Sequence, residues 1–129
     1  MSVGSAKKPF SGTTRERGES AEDAALAYLE GAGMRLLHRN YRTPGRGGGE
    51  IDLIMRGEGG TLVFIEVRAR ARAGFGGAAA SVSYTKQRRI IFAAYHYLRR
   101  FRAPPPCRFD VVAIEAGHIE WIPGAFDAG

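Results

Sequence analysis

Two runs that read as buried β-strands carry acids inside them: Gly49-Glu50-Ile51-Asp52-Leu53-Ile54 and Phe64-Ile65-Glu66-Val67-Arg68-Ala69-Arg70. Side chains alternate along a strand with a period of two, so Leu62, Phe64, Glu66 and Arg68 share one face. That face is apolar and then turns ionic over its last two positions. A bare carboxylate in such a place is costly unless it is paired or bound to a metal. The same alternation puts Asp52 of the preceding strand on one face with Glu50 and Ile54.

A chain of 129 residues suffices for one domain with a hydrophobic core but not for two. No apolar run is long enough to span a bilayer. Residues 1–13, with Lys7 and Lys8 but no apolar stretch behind them, are expected to be a disordered lead-in rather than a secretory signal. Residues 14–126 are expected to form the domain and 127–129 a short tail. Cys107 is the only cysteine, which rules out an intrachain disulfide, makes the cytoplasm the expected compartment, and suits a packing residue. Nineteen basic residues against thirteen acidic ones give a net charge of +6, favouring a polyanionic partner with nucleic acid as the first expectation. The basic residues are grouped at Arg68, Arg70 and Arg72, at Lys86, Arg88 and Arg89, and at Arg99, Arg100 and Arg102.

The spacing of Ala21, Ala24, Ala25, Tyr28, Leu29 and Ala32 predicts a helix from about Thr14 to Ala32, stopped by Gly31 and Gly33. Met34 to Tyr41 reads as a first strand. Thr43 to Gly49 reads as a glycine-rich loop able to approach a ligand closely. Glu50 to Arg56 and Thr61 to Ala69 are the two acid-bearing strands, joined as a hairpin through Gly57 to Gly60. Ala73 to Ala80 is expected to be irregular. A second helix, capped by Ser83, is predicted from Tyr84 to Arg102, with Gln87, Ile90, Ile91, Ala94, Leu98 and Phe101 on its buried side and Pro104-Pro105-Pro106 ending it. Strands at Arg108 to Glu115 and His118 to Ile122 complete an α-β-β-β-α-β-β order, which implies an α/β fold with a mixed sheet flanked by helices.

Asp52, Glu66 and Arg68 are the candidate chemical core. Phosphodiester hydrolysis needs a hard cation, and Mg²⁺ is satisfied by one or two carboxylates plus a substrate phosphate. The plain alternative is a strand-end ion pair with Asp52 beside a turn. Glu19, at the start of the first helix, offers a third carboxylate, although an acid there also simply complements the helix dipole. Glu22 is a comparable but weaker candidate. Lys86 and Gln87 open the second helix where a phosphate would be favoured, with ordinary capping as the alternative. Arg70, and Arg88, Arg89, Arg99, Arg100 and Arg102 of the second helix, would contact phosphates without reading base sequence, with a plain solvated face as the alternative. His38, His96 and His118 lack metal-ligand spacing, and Trp121 and the tyrosines are assigned to the core.

Gly18-Glu19-x-Ala21, Gly49-Glu50-Ile51-Asp52-Leu53-Ile54, Phe64-Ile65-Glu66-Val67-Arg68-x-Arg70, Lys86 and Arg108-Phe109-Asp110-Val111-Val112, in this order, resemble the YraN family of small bacterial proteins. The resemblance extends from about Arg17 to Phe126. That family is in turn similar to the restriction-endonuclease-like superfamily and, within it, to archaeal Holliday junction resolvases. The resemblance implies a restriction-endonuclease-like fold, with Glu19, Asp52 and Glu66 as ligands of Mg²⁺ or Mn²⁺ and Glu50 as an auxiliary. It implies a metal-dependent endonuclease acting on branched or duplex DNA, and a homodimer. Arg68 stands where the superfamily usually has lysine, and arginine cannot act as a base near neutral pH. A non-catalytic nucleic-acid-binding adaptor that keeps the fold is therefore the alternative. Asp110 is expected to pair with a neighbouring arginine.

Overall fold

The computed structural model describes residues 14–70 and 82–129, apart from the side chains of residues 14–18 and of Arg70. In chain order the elements are α1 (Thr14–Gly31), β1 (Arg35–Arg42), β2 (Glu50–Arg56), a single 3₁₀ turn (Glu58–Gly60), β3 (Leu62–Arg70), α2 (Tyr84–Leu98), β4 (Cys107–Glu115) and β5 (His118–Phe126). The five strands form one sheet in the order β1-β2-β3-β4-β5. Only β3 and β4 run parallel, joined through α2; the other neighbours are antiparallel. This is the mixed α/β arrangement expected from the strand and helix order. The lead-in and the stretch from Ala73 to Ala80 lie outside the described residues.

Each sheet face has its own core. Ala21, Ala25 and Leu29 of α1 pack on Leu53, Met55, Val63, Ile65, Val112 and Ile114. Ile90, Ile91, Ala93, Ala94 and Tyr97 of α2 pack on Phe64, Phe109, Val111 and Ala113 from the other side. Strand β3 lies between these layers, so Leu62 to Ile65 form an unbroken buried run. A run buried on both faces has no polar side, as expected for a central strand with a parallel neighbour.

Four local expectations need correction. Helix α2 ends at Leu98, four residues before Arg102, because Arg99, Arg100 and Phe101 donate to carbonyls three residues back and tighten the chain out of the α-helix. The apolar stripe of α1 is narrower than its spacing suggested: Tyr28 is exposed, as is Ala32 just past the helix end. Cys107 is exposed rather than packed, with its thiol donating to the Pro105 carbonyl. Tyr84 and Tyr95 also stand out in solvent, leaving only Tyr41 and Tyr97 as buried tyrosines.

Asp110 does pair with an arginine, and with more besides. Its fully buried carboxylate accepts from Arg108 Nε and Nη2 at 2.8 and 2.9 Å, from Trp121 Nε1 at 2.9 Å and from the Gly124 amide at 2.9 Å. Four donors can hold a buried charge that would otherwise be prohibitive. Its work is to fasten β5 to β4.

Candidate functional site

Glu66 occupies the position where the apolar face of β3 turns ionic. It is 4 % exposed, on the α2 side of the sheet with Leu62 and Phe64. Two cations meet its Oε2: Arg68 Nη1 at 3.5 Å, two residues on along β3, and Lys86 Nζ at 3.6 Å, from the first turn of α2. Lys86 is aimed by local capping, since Ser83 Oγ accepts the Lys86 amide at 3.1 Å and fixes where the helix starts.

Asp52 meets the same carboxylate by continuing the strand register. Ile54 pairs with Phe64 and Leu53 with Ile65, so the next step sets Asp52 across from Glu66, on the face that Ile54 and Phe64 share. The β2–β3 ladder ends at Leu53↔Ile65, and opposite Asp52 on β1 stands Asn40 with a φ of +52°. Where the strands part, the Val67 amide is left without a ladder partner, and Asp52 Oδ2 accepts it at 2.8 Å. The register sets the two acids across from one another, and the end of the ladder gives Asp52 the Val67 amide.

Their proximity is written in the protonation of Asp52. Burial first, and then the charge of Glu66, raise its carboxyl to about 7, and a hydrogen bond links the two side chains. Two carboxyl groups can share a hydrogen bond only if one holds the proton. The Val67 amide and Glu50 act on Asp52 more weakly, in opposite directions.

The α1 acid whose charge reaches Asp52 is Glu22. Its carboxyl is raised by burial and then by Asp52, with Asn40 and Arg39 opposing. Glu19 is exposed one turn earlier. At about 100° per residue, Glu22 lies about 60° from the axis of the Ala21–Ala25–Leu29 stripe and Glu19 about 120°. That angle is a sequence signal, and it separates the two acids. Among the described residues, no three His, Cys, Asp or Glu side chains are gathered closely enough to enclose an ion. Asp52 and Glu66 form a pair with Glu22 and Glu50 nearby.

The remaining basic candidates divide by what they touch. Gln87 is half-buried and its amide donates to the Val82 carbonyl at 3.0 Å, so it closes the turn before α2. Arg88 and Arg89 are exposed. The side chain of Arg70 lies outside the described residues.

A mixed five-stranded sheet between two helices, with acids where two strands part, is consistent with a restriction-endonuclease-like α/β protein. The chain itself belongs to the Uncharacterised protein family UPF0102, whose profile matches residues 21–114 and so spans Glu22, Asp52, Glu66, Arg68 and Lys86. A UPF0102 protein of Albidiferax ferrireducens is 68 % identical over 117 residues, covering 91 % of each chain. One from Paracidovorax citrulli is 62 % identical over 117 residues, covering 91 % of this chain and 87 % of its own. Another from Methylibium petroleiphilum is 60 % identical over 119 residues, covering 90 % and 98 %.

Proposed function

We propose that this protein binds DNA and cleaves its phosphodiester backbone in a metal-dependent, resolvase-like reaction at Asp52 and Glu66. The observation that carries this reading is the contact between those two carboxyl groups, beside two cations. Two facing oxygen ligands whose charges repel suit a hard divalent cation between them. Asp52 and Glu66 would hold Mg²⁺ or Mn²⁺, and the α1 ligand place falls to Glu22 rather than Glu19. When bound, such an ion supplies Lewis acidity towards a phosphate oxygen and lowers the pKa of a coordinated water.

The chain's own residues divide the remaining work. Val67 fixes one oxygen of Asp52 through its amide, so the carboxylate presents a constant face. Arg68 stays protonated and offsets charge on the attacked phosphate. Lys86 contacts the same Glu66 oxygen and brings a second cation towards the phosphate from α2.

The test is cleavage of branched and linear DNA with Mg²⁺ or Mn²⁺ by wild type, Asp52→Asn and Glu66→Gln. Metal-dependent nicking lost in both variants supports the site. Nicking that survives both refutes it. DNA binding without turnover by any of the three proteins would instead favour the adaptor reading, which the arginine at position 68 recommends.

A further inference from the structure

The loop between β1 and β2 encloses a second feature beside the acids. A cavity of about 320 Å³ is lined by Arg42, Thr43, Gly45, Gly47, Gly48, Gly49, Glu50, Lys86 and Arg89. Its cations come from two directions, Arg42 from the end of β1 and Lys86 and Arg89 from α2, against one carboxylate, Glu50. The Arg42–Glu50 contact is 3.5 Å long between exposed groups, too weak to fill the demand of the cluster. Arg89 makes no ion pair among the described residues.

The loop is built rather than merely permissive. Thr43 and Gly49 close it, with the Thr43 amide donating to the Gly49 carbonyl at 3.0 Å and the Gly49 amide donating to Thr43 Oγ1 at 2.7 Å. Gly49 sits so close to α2 that a Cβ there would lie 2.0 Å from the Arg89 carbonyl oxygen. Loop and helix thus form two fixed walls. Lys86 lies in the wall of the cavity and also touches Glu66, so cavity and acids adjoin.

Resting on the reading just given, we propose that this cavity seats a DNA phosphate neighbouring the one attacked at Asp52 and Glu66, held by Arg42 and Arg89 with Lys86 shared between the two places. The strand would be gripped at successive phosphates, and its path fixed before any chemistry. Contacts of this kind position the backbone and carry no base preference.

The experiment measures binding of a short single-stranded DNA in the Asp52→Asn background without divalent metal, so no turnover is needed. Oligonucleotides with and without a 5′-phosphate distinguish a terminal phosphate from an internal phosphodiester. Combined Arg42→Ala and Arg89→Ala substitution is expected to weaken binding by about tenfold or more. It should also flatten the salt dependence by roughly two counter-ions. Amide resonances of Gly45, Gly47, Gly48 and Gly49 should shift on adding the oligonucleotide to Asp52→Asn, and remain still with the two arginines also replaced. Arg89→Glu should abolish the shifts while leaving the melting temperature within a few degrees. A requirement for the 5′-phosphate would overturn the internal seat. Unchanged affinity and salt slope in the arginine variants would overturn the cavity's role altogether. If wild type cuts DNA through Asp52 yet the arginine variants bind normally, the subsite fails alone. If the arginines govern binding but nothing is cut, only the nuclease reading fails.

Discussion

Asp52→Asn is expected to stabilise the protein near neutral pH while removing the activity proposed for it. The carboxyl of Asp52 titrates at about 7 instead of 3.8, because it is buried and because Glu66 stands beside it. A carboxyl whose folded value lies above its unfolded one favours folding only while protonated. Its contribution is complete below about pH 4, declines as pH rises between the two values, and is gone above about pH 7. At about 1.4 kcal/mol for each tenfold, the gap corresponds to an upper bound of about 4 kcal/mol. Water reaching a half-buried group brings the expected loss to roughly 2–4 kcal/mol. Asparagine keeps an oxygen for the Val67 amide and never ionises, so the variant has nothing to lose over this window. Urea unfolding of both proteins in chelator, at steps between about pH 4 and about pH 8, measures the difference. The curves should meet at the acid end and separate by roughly 2–4 kcal/mol at the alkaline end, with the variant ahead. A constant gap, or a variant less stable than wild type at the alkaline end, would refute the reasoning.

Glu66→Gln should move the Asp52 carboxyl back towards the ordinary range, since it removes the neighbouring charge; the carbon chemical shift of that carboxyl, followed by pH titration, checks this. Mn²⁺ should raise the melting temperature of wild type and release a proton on binding, and should do neither with Asp52→Asn; calorimetry in buffers of different ionisation heat reads both. Asp110→Ala takes the acceptor from the Trp121 and Gly124 donors while Arg108, 37 % exposed, can turn to solvent, and should cost about 1–3 kcal/mol in denaturant unfolding. Gly49→Ala forces a methyl against the Arg89 carbonyl and should cost about 1–3 kcal/mol as loop or helix gives way, measured in the same way.

The strand bearing Glu66 was legible because alternation alone places an acid at the end of an apolar face. The pairing of Arg108 with Asp110 also followed from the sequence, whereas the Trp121 and Gly124 donors did not, being eleven and fourteen residues away. The facing of Asp52 followed from the same alternation, which sets it with Ile54 on the side that Phe64 and Glu66 share. The Val67 amide that it accepts did not, because that depends on where the β2–β3 ladder ends. Glu22 could have been preferred to Glu19 from helical angle alone, since α1 starts at Thr14 and the dipole of its first turn reaches neither acid. The end of α2 is hard to see in the sequence because the proline triplet is the strongest local stop, whereas Leu98 to Phe101 wind into a tighter turn before it. The exposed Tyr84 and Tyr95 show the same limit: side-chain type suggests burial, and only the helix's orientation on the sheet decides it.

The contact between Gly49 and the Arg89 carbonyl has a mechanical meaning. With no side chain between them, the backbone of the loop rests directly on that of the helix, and their spacing is set by the bare α-carbon. A larger residue there would prise the loop from the helix along the wall to which Lys86 belongs.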